Sequence, residues 1–186
     1  MVENTALADI PQDLDKGNQL LQDVRRLMIP GGVLEEVLNI IEKATNIPEL
    51  SVVSSQVLAV VAMSMGNFAQ AAHLLKHVED HPDASQDGFE LLACIYATAG
   101  RLDESLFYGK LSTVKKPDGK LMELLPQNRP TFSEAFTSIQ EKPFYHAGVR
   151  LLDAGQYENA STNFQQHLYF FPDDMLAIDD FSKALK

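Results

Sequence analysis

The chain has no tryptophan, a single cysteine and far fewer cations than carboxylates. With Cys94 alone, no intrachain disulfide can form. Lys and Arg number 15 against 26 Asp and Glu, a formal charge of −11. That balance argues against nucleic acid, whose phosphates need a basic surface, and equally against anionic membranes. Long hydrophobic runs are missing too. The longest, Val57 to Met63, is far short of a membrane span. Met1-Val2-Glu3-Asn4 lacks the basic start and apolar core of a secretory signal. The expectation is a cytoplasmic protein with neither nucleic acid nor membrane among its partners. The 186 residues, 45% hydrophobic and 22% charged, suffice for one domain of ordinary size.

What the chain does have is a phase. Gly32, Gly66 and Gly100 lie 34 residues apart each time, and a fourth copy of their surroundings appears at Gly155, displaced by extra sequence. A period of 34 is that of a stacked helix hairpin. Residues 1–17 read as a polar leader, with Pro11 a breaker and Asp15 a plausible cap for a first helix ending near Met28. Val33 to Ala44 is apolar at every third or fourth position, one face of a helix. Ser54 to Met65 is nearly all apolar and small, a helix buried on most sides. Phe68 to Asp80, Gln86 to Ala99, Leu102 to Val114, Pro143 to Ala154 and Gln156 to Phe170 complete the expected helices. The fold class expected is all-α.

Aligned on the turn glycines, the units share three slots. Two residues after the glycine stands a bulky group: Leu34, Phe68, Leu102, Tyr157. Five after it stands a short one: Val37, Ala71, Ser105, Ala160. Seven before it, Ala59, Ala93 and Gly148 are small, whereas the first unit has Arg25. Small residues let the two helices of a hairpin approach. The bulky one is expected to plug the space beside the turn. Glycine supplies backbone freedom at the turn, and Pro48, Pro82, Pro117 and Pro172 close the units.

This pattern resembles the tetratricopeptide repeat (TPR) family. Phe89, Leu92, Ala93, Tyr96, Gly100 and Pro117 in the third unit fall on the family's signature, as do Phe144, Gly148, Gly155, Tyr157, Ala160, Phe164 and Pro172 in the fourth. The resemblance implies a right-handed solenoid of helical hairpins over 18–186. Its repeats would be 18–51, 52–85, 86–119 and 141–174, with an insertion at 120–140 and a capping helix at 175–186. Gly109 and Ser112 depart from the pattern and imply a loosely packed second helix in the third unit. The insertion has two readings, a segment packed on the array or a lid near the groove. Leu121 to Leu125 would be its apolar part, Pro126 to Pro130 a loop, and Thr131 or Ser133 the cap of a short helix. Met175, Ile178, Phe181 and Leu185 form the expected apolar face of the last helix. That helix is either a natural cap or the cut end of a longer protein.

Signs of chemistry are sparse. His73, His77 and His81 follow at i, i+4 and i+8, but His near a helix end favours the dipole, so a solvated face is expected rather than a metal site. Cys94 has no neighbouring base in sequence and reads as a packed or lining thiol. No catalytic residue, cofactor or metal is expected. In the TPR family the first helix of each unit lines the inner surface. The resemblance therefore implies a partner-binding groove including Gln22, Arg26, Val53, Gln56, Val60, Met63, Asp87, Glu90, Cys94, Tyr145 and Val149. The basic, Asn-rich clamp of chaperone-binding members is not matched, nor is the Asn ladder of sugar-transferase repeats. An apolar second unit beside an acidic third unit points to a protein or peptide with apolar anchors and basic residues. The expected function is a non-catalytic adaptor or chaperone holding a peptide or partner helix. The alternatives are the N-terminal repeat region of a larger bacterial enzyme such as a glycosyltransferase, and a secretion-system chaperone.

Overall fold

The protein is described from a computed structural model, which defines residues 52–76, 78–81, 84–115 and 131–185, with the side chains of Val53 and Ser54 left aside. Readings on 1–51 and 116–130, including the leader, the first unit and Leu121 to Leu125, lie outside the described residues. Within them the structure is all-α. The helices are α1 (Val52–Ser64), α2 (Phe68–Leu74), α3 (Gln86–Thr98), α4 (Leu102–Val114), α5 (Phe132–Thr137), α6 (Pro143–Asp153), α7 (Tyr157–Phe170) and α8 (Met175–Ala184). None of them is long and apolar enough to cross a membrane.

The pairs α1–α2, α3–α4 and α6–α7 form hairpins whose turns share one geometry. Gly66, Gly100 and Gly155 have φ of 76°, 80° and 71°. In each turn the glycine N–H reaches back three residues, to Met63, Ala97 and Leu152, at 2.9, 3.0 and 3.0 Å. The next N–H reaches back five, from Asn67 to Ala62, Arg101 to Tyr96 and Gln156 to Leu151, at 2.8, 2.8 and 2.9 Å. This double bond pattern is a Schellman cap, which satisfies the last carbonyls of the first helix. The residue after each glycine then starts the second helix from nearly the same backbone angles.

Small residues fill the aligned slots inside the hairpins. Ala59, Ala71, Ala93, Ser105 and Ala160 are all fully buried. The Ser105 hydroxyl donates to the Ala93 carbonyl at 2.9 Å, joining the two aligned slots of that hairpin. In the last hairpin a Cβ on Gly148 would stand 2.6 Å from the Phe164 ring, so only glycine admits that ring. The bulky slot behaves otherwise. Phe68 packs on Phe144, but Leu102 and Tyr157 are 46% and 56% exposed. The expectation that this residue plugs the turn is corrected for those two units: the Schellman bonds close the turn without it.

Three further expectations change. The helix read from Phe68 to Asp80 ends at Leu74. There the backbone tightens, with Lys76 N–H reaching the His73 carbonyl at 3.2 Å and Val78 N–H the Leu75 carbonyl at 2.9 Å. His73 and His81 therefore do not share a helix. Gly109 and Ser112 do not leave α4 loose. Both are buried, the Ser112 hydroxyl bonds the Gly109 carbonyl at 2.8 Å, and the Phe132 ring fills the space where a Gly109 Cβ would come within 2.7 Å. Finally, α8 buries Ala177 and Ala184, with Phe181 partly covered, while Met175 (71%), Ile178 and Leu185 are exposed. Alanines allow close approach to α7, which turns the longer side chains outward.

Segment 131–140 is packed on the α3–α4 hairpin. Thr131 caps α5 in a reciprocal box with Glu134, at 3.2 and 2.8 Å. Ala135 joins the main core, which is centred on α1 and α3. A second cluster, around Ala160, Phe164 and Ala184, lies between α6, α7 and α8. Aromatic rings bridge the two. Phe144 meets Phe68 at 5.7 Å and Phe170 at 6.3 Å, and Phe170 meets Tyr96 at 5.8 Å.

Candidate functional site

Where they are described, the residues expected to line a partner-binding groove fall into two groups. Gln56, Val60, Met63, Asp87 and Cys94 are buried. Glu90, Tyr145 and Val149 are partly exposed. Gln22, Arg26 and the Val53 side chain lie outside the described residues. An open groove at the five buried positions is thus corrected, and for the three on α1, Gln56, Val60 and Met63, the physical reason lies in that helix. A helix apolar on nearly every side must be covered on nearly every side. Gln56 shows the consequence. Its amide nitrogen reaches the Ser85 hydroxyl at 3.3 Å and lies against Gly88, whose missing side chain makes room for it. Tyr145 is also committed, since its hydroxyl donates to Asp180 at 3.1 Å and ties α6 to α8.

Two open hollows among the described residues lie elsewhere. The first, about 560 Å³, is bordered by Arg101, Lys142, Phe171, Asp174, Met175 and Leu176. Its cations are fixed from behind. The Arg101 guanidinium bonds the Phe170 carbonyl and Glu104, and lies over the Phe171 ring at 5.1 Å. Lys142, at a left-handed φ of 48°, donates to Asp174 at 2.8 Å. The same Asp174 oxygen lies 3.0 Å from His167 Nε2, while its other oxygen caps α8 at the Ala177 N–H, 3.4 Å away. Hydrogen bonds from Lys142, then from His167, hold the Asp174 carboxyl well below the usual carboxylate range. Burial pushes His167 down, against the opposing pull of Asp174. Its Nδ1 is buried without a hydrogen-bond partner, which suits a neutral ring donating from Nε2.

The second hollow, about 480 Å³, lies between the Gly66 turn and α7. Gln166 builds its floor. Its Oε1 accepts from the N–H groups of Phe68 and Ala69 at 2.8 and 3.3 Å, and its Nε2 donates to the Gly66 carbonyl at 2.5 Å. One side chain thereby caps α2 and fastens the last hairpin to a turn 100 residues earlier. Asn67, Gln70, Thr162, Gln165 and Tyr169 complete the walls.

No protein-family model, curated protein or solved structure matches this chain. Sequence reasoning missed Gln165 and Gln166 as surface groups because they lie on the second helix of a hairpin, outside the slots taken as lining, and it read Tyr169 with Phe170 and Phe171 as core more than as a contact patch. Their signal was present as polar residues at 162, 165 and 166 leading to Tyr169, one face of α7.

Proposed function

We propose that this chain is a TPR-like array of helical hairpins and acts as a non-catalytic protein-binding module, an adaptor or chaperone that holds a peptide segment or partner helix. What supports the reading is the hairpin turn itself. Three turns, at Gly66, Gly100 and Gly155, carry the same positive φ and the same two hydrogen bonds. The paired helices cross on the small residues that the alignment brings into register. One supersecondary unit used repeatedly makes extended surfaces between units, and such surfaces suit linear segments of other proteins. The partner-facing surface is drawn from the hollows rather than from Gln56, Val60 and Cys94. Glu90 remains the accessible acid of the expected lining.

Selection from a random-peptide display library, followed by calorimetry on the recovered sequences, tests the reading. Saturable one-to-one binding of selected peptides is the expected result. Failure of every selected peptide to bind in solution overturns it.

A further inference from the structure

The hollow between the Gly66 turn and α7 differs chemically from the rest of the surface. In a chain of formal charge −11, none of its lining residues is charged. The walls are instead carboxamides, hydroxyls and a few apolar groups. Thr162, Gln165, Gln166 and Tyr169 follow at i, i+3, i+4 and i+7, which puts them on one face of α7. Seven residues at 1.5 Å per residue make this strip about 10 Å long, matching about three residues of extended chain at 3.3 Å each.

The amides divide into fixed and available groups. Gln166 spends both ends on the α2 cap. Asn67 donates to Gln70 Oε1 at 2.7 Å and accepts the Gln70 N–H at 3.2 Å. Among the described residues this leaves the Gln70 amide nitrogen as a donor, aimed by a fixed oxygen. Gln165 is exposed, and neither end of its carboxamide bonds another described residue. Tyr169 is 43% exposed at the end of the strip, its ring edge-on to Phe170 at 5.0 Å. A carboxamide presents one acceptor and two donors in a plane and can pair with the C=O and N–H of a peptide group. A charged ligand would lose hydration here and gain no counter-charge.

We infer that this cleft takes an uncharged, extended peptide segment, whose backbone pairs with the Gln165 and Gln70 carboxamides while one apolar side chain lies against Tyr169 and Met65. The inference rests on the reading of the chain as a protein-binding module and names the site and the class of segment. Affinity falls when a side chain entering the cleft is charged, and for uncharged segments it is nearly independent of salt, since no lining ion is screened. Specificity comes from backbone pairing and from the apolar contact beside Tyr169.

The test uses the full chain and peptides selected by display from a library of uncharged, end-blocked hexapeptides. Titrations are run on the wild type and on Gln165→Ala and Tyr169→Ala. Both residues are substantially exposed, and circular dichroism checks that the variants keep their helices. The expected result is a loss of about tenfold or more for each variant, or about 1.4 kcal/mol by the standard conversion. N-methylation of one central backbone amide should give a similar loss. Affinity should stay within about twofold between about 50 and 500 mM salt. Equal affinity for wild type and both variants places the peptide elsewhere and overturns the cleft assignment, while the module reading stands. Absence of binding by these peptides and by a charged library alike removes both. Tyr169-dependent binding of neutral oligosaccharides, with no peptide binding, assigns the cleft to sugars and overturns the inference.

Discussion

Three turns with the same backbone conformation but different neighbours allow packing to be separated from backbone strain. At Gly155 an added Cβ meets nothing within 4 Å among the described residues, whereas at Gly100 it would stand 2.5 Å from the Gln140 carbonyl oxygen, 3.1 Å from Pro143 Cδ and 3.2 Å from the Lys142 N–H nitrogen. Alanine at either site takes on the left-handed penalty of about 1–2 kcal/mol. Only at Gly100 does it also strike the chain entering α6. That chain has little freedom to retreat, because Pro143 occupies the first turn of the helix and Lys142 is held by Asp174. An overpacked contact of this kind costs about 1–3 kcal/mol more. For a chain of this size the gap corresponds to about 2–12 °C in melting temperature. Thermal and urea unfolding of Gly155→Ala and Gly100→Ala measure it. Equal destabilisation of the two variants would refute the packing of the 140–143 segment onto the Gly100 turn.

Ala59→Leu and Ala93→Leu should each lose roughly 1–3 kcal/mol through overpacking at a helix crossing, and unchanged melting of both would mean that the hairpin register is wrong. Gln166→Ala removes three hydrogen bonds between α7 and the Gly66 turn and should cost about 1–3 kcal/mol in urea unfolding. Stability should also fall with acid. His167 has its pKa lowered in the fold, so the unfolded chain takes up its proton first, below the ordinary value of 6.5. The loss begins there and continues until the folded ring protonates. Asp174, also lowered, contributes stability above its ordinary 3.8 that is lost as pH falls further. Unfolding midpoints at pH 7.5 and 5.5 should differ less in His167→Gln than in the wild type, and an unaltered difference contradicts the buried neutral ring.

What the sequence made legible was local and periodic. The turn glycines, the cap at Thr131 and the small residues at 59, 93 and 148 each carry a backbone or volume requirement that one position states alone. Ser105 is the best case, since its slot and that of Ala93 were aligned separately and meet in one hydrogen bond. The misses concern what lies across the chain. Gly109 reads as a weak spot until Phe132, 23 residues later, fills it. The face of α8 depends on how closely Ala177 and Ala184 let α7 approach, which spacing alone does not decide. The early end of α2 goes with Val78, which is buried and lies where a Gly88 side chain would be. The groove was misplaced for a related reason. Family register assigns a slot as lining, whereas the all-round apolar character of α1 decides that Gln56, Val60 and Met63 are covered.

Amide hydrogen exchange on the full chain, with and without a saturating display-selected peptide, locates the bound segment on the hairpins directly. Added protection should concentrate at the Gly66 turn and along 162–169, where backbone groups of the cleft walls are shielded. Protection absent from both segments, or confined to the outer face of α4 around Leu102 and Phe107, would contradict that placement.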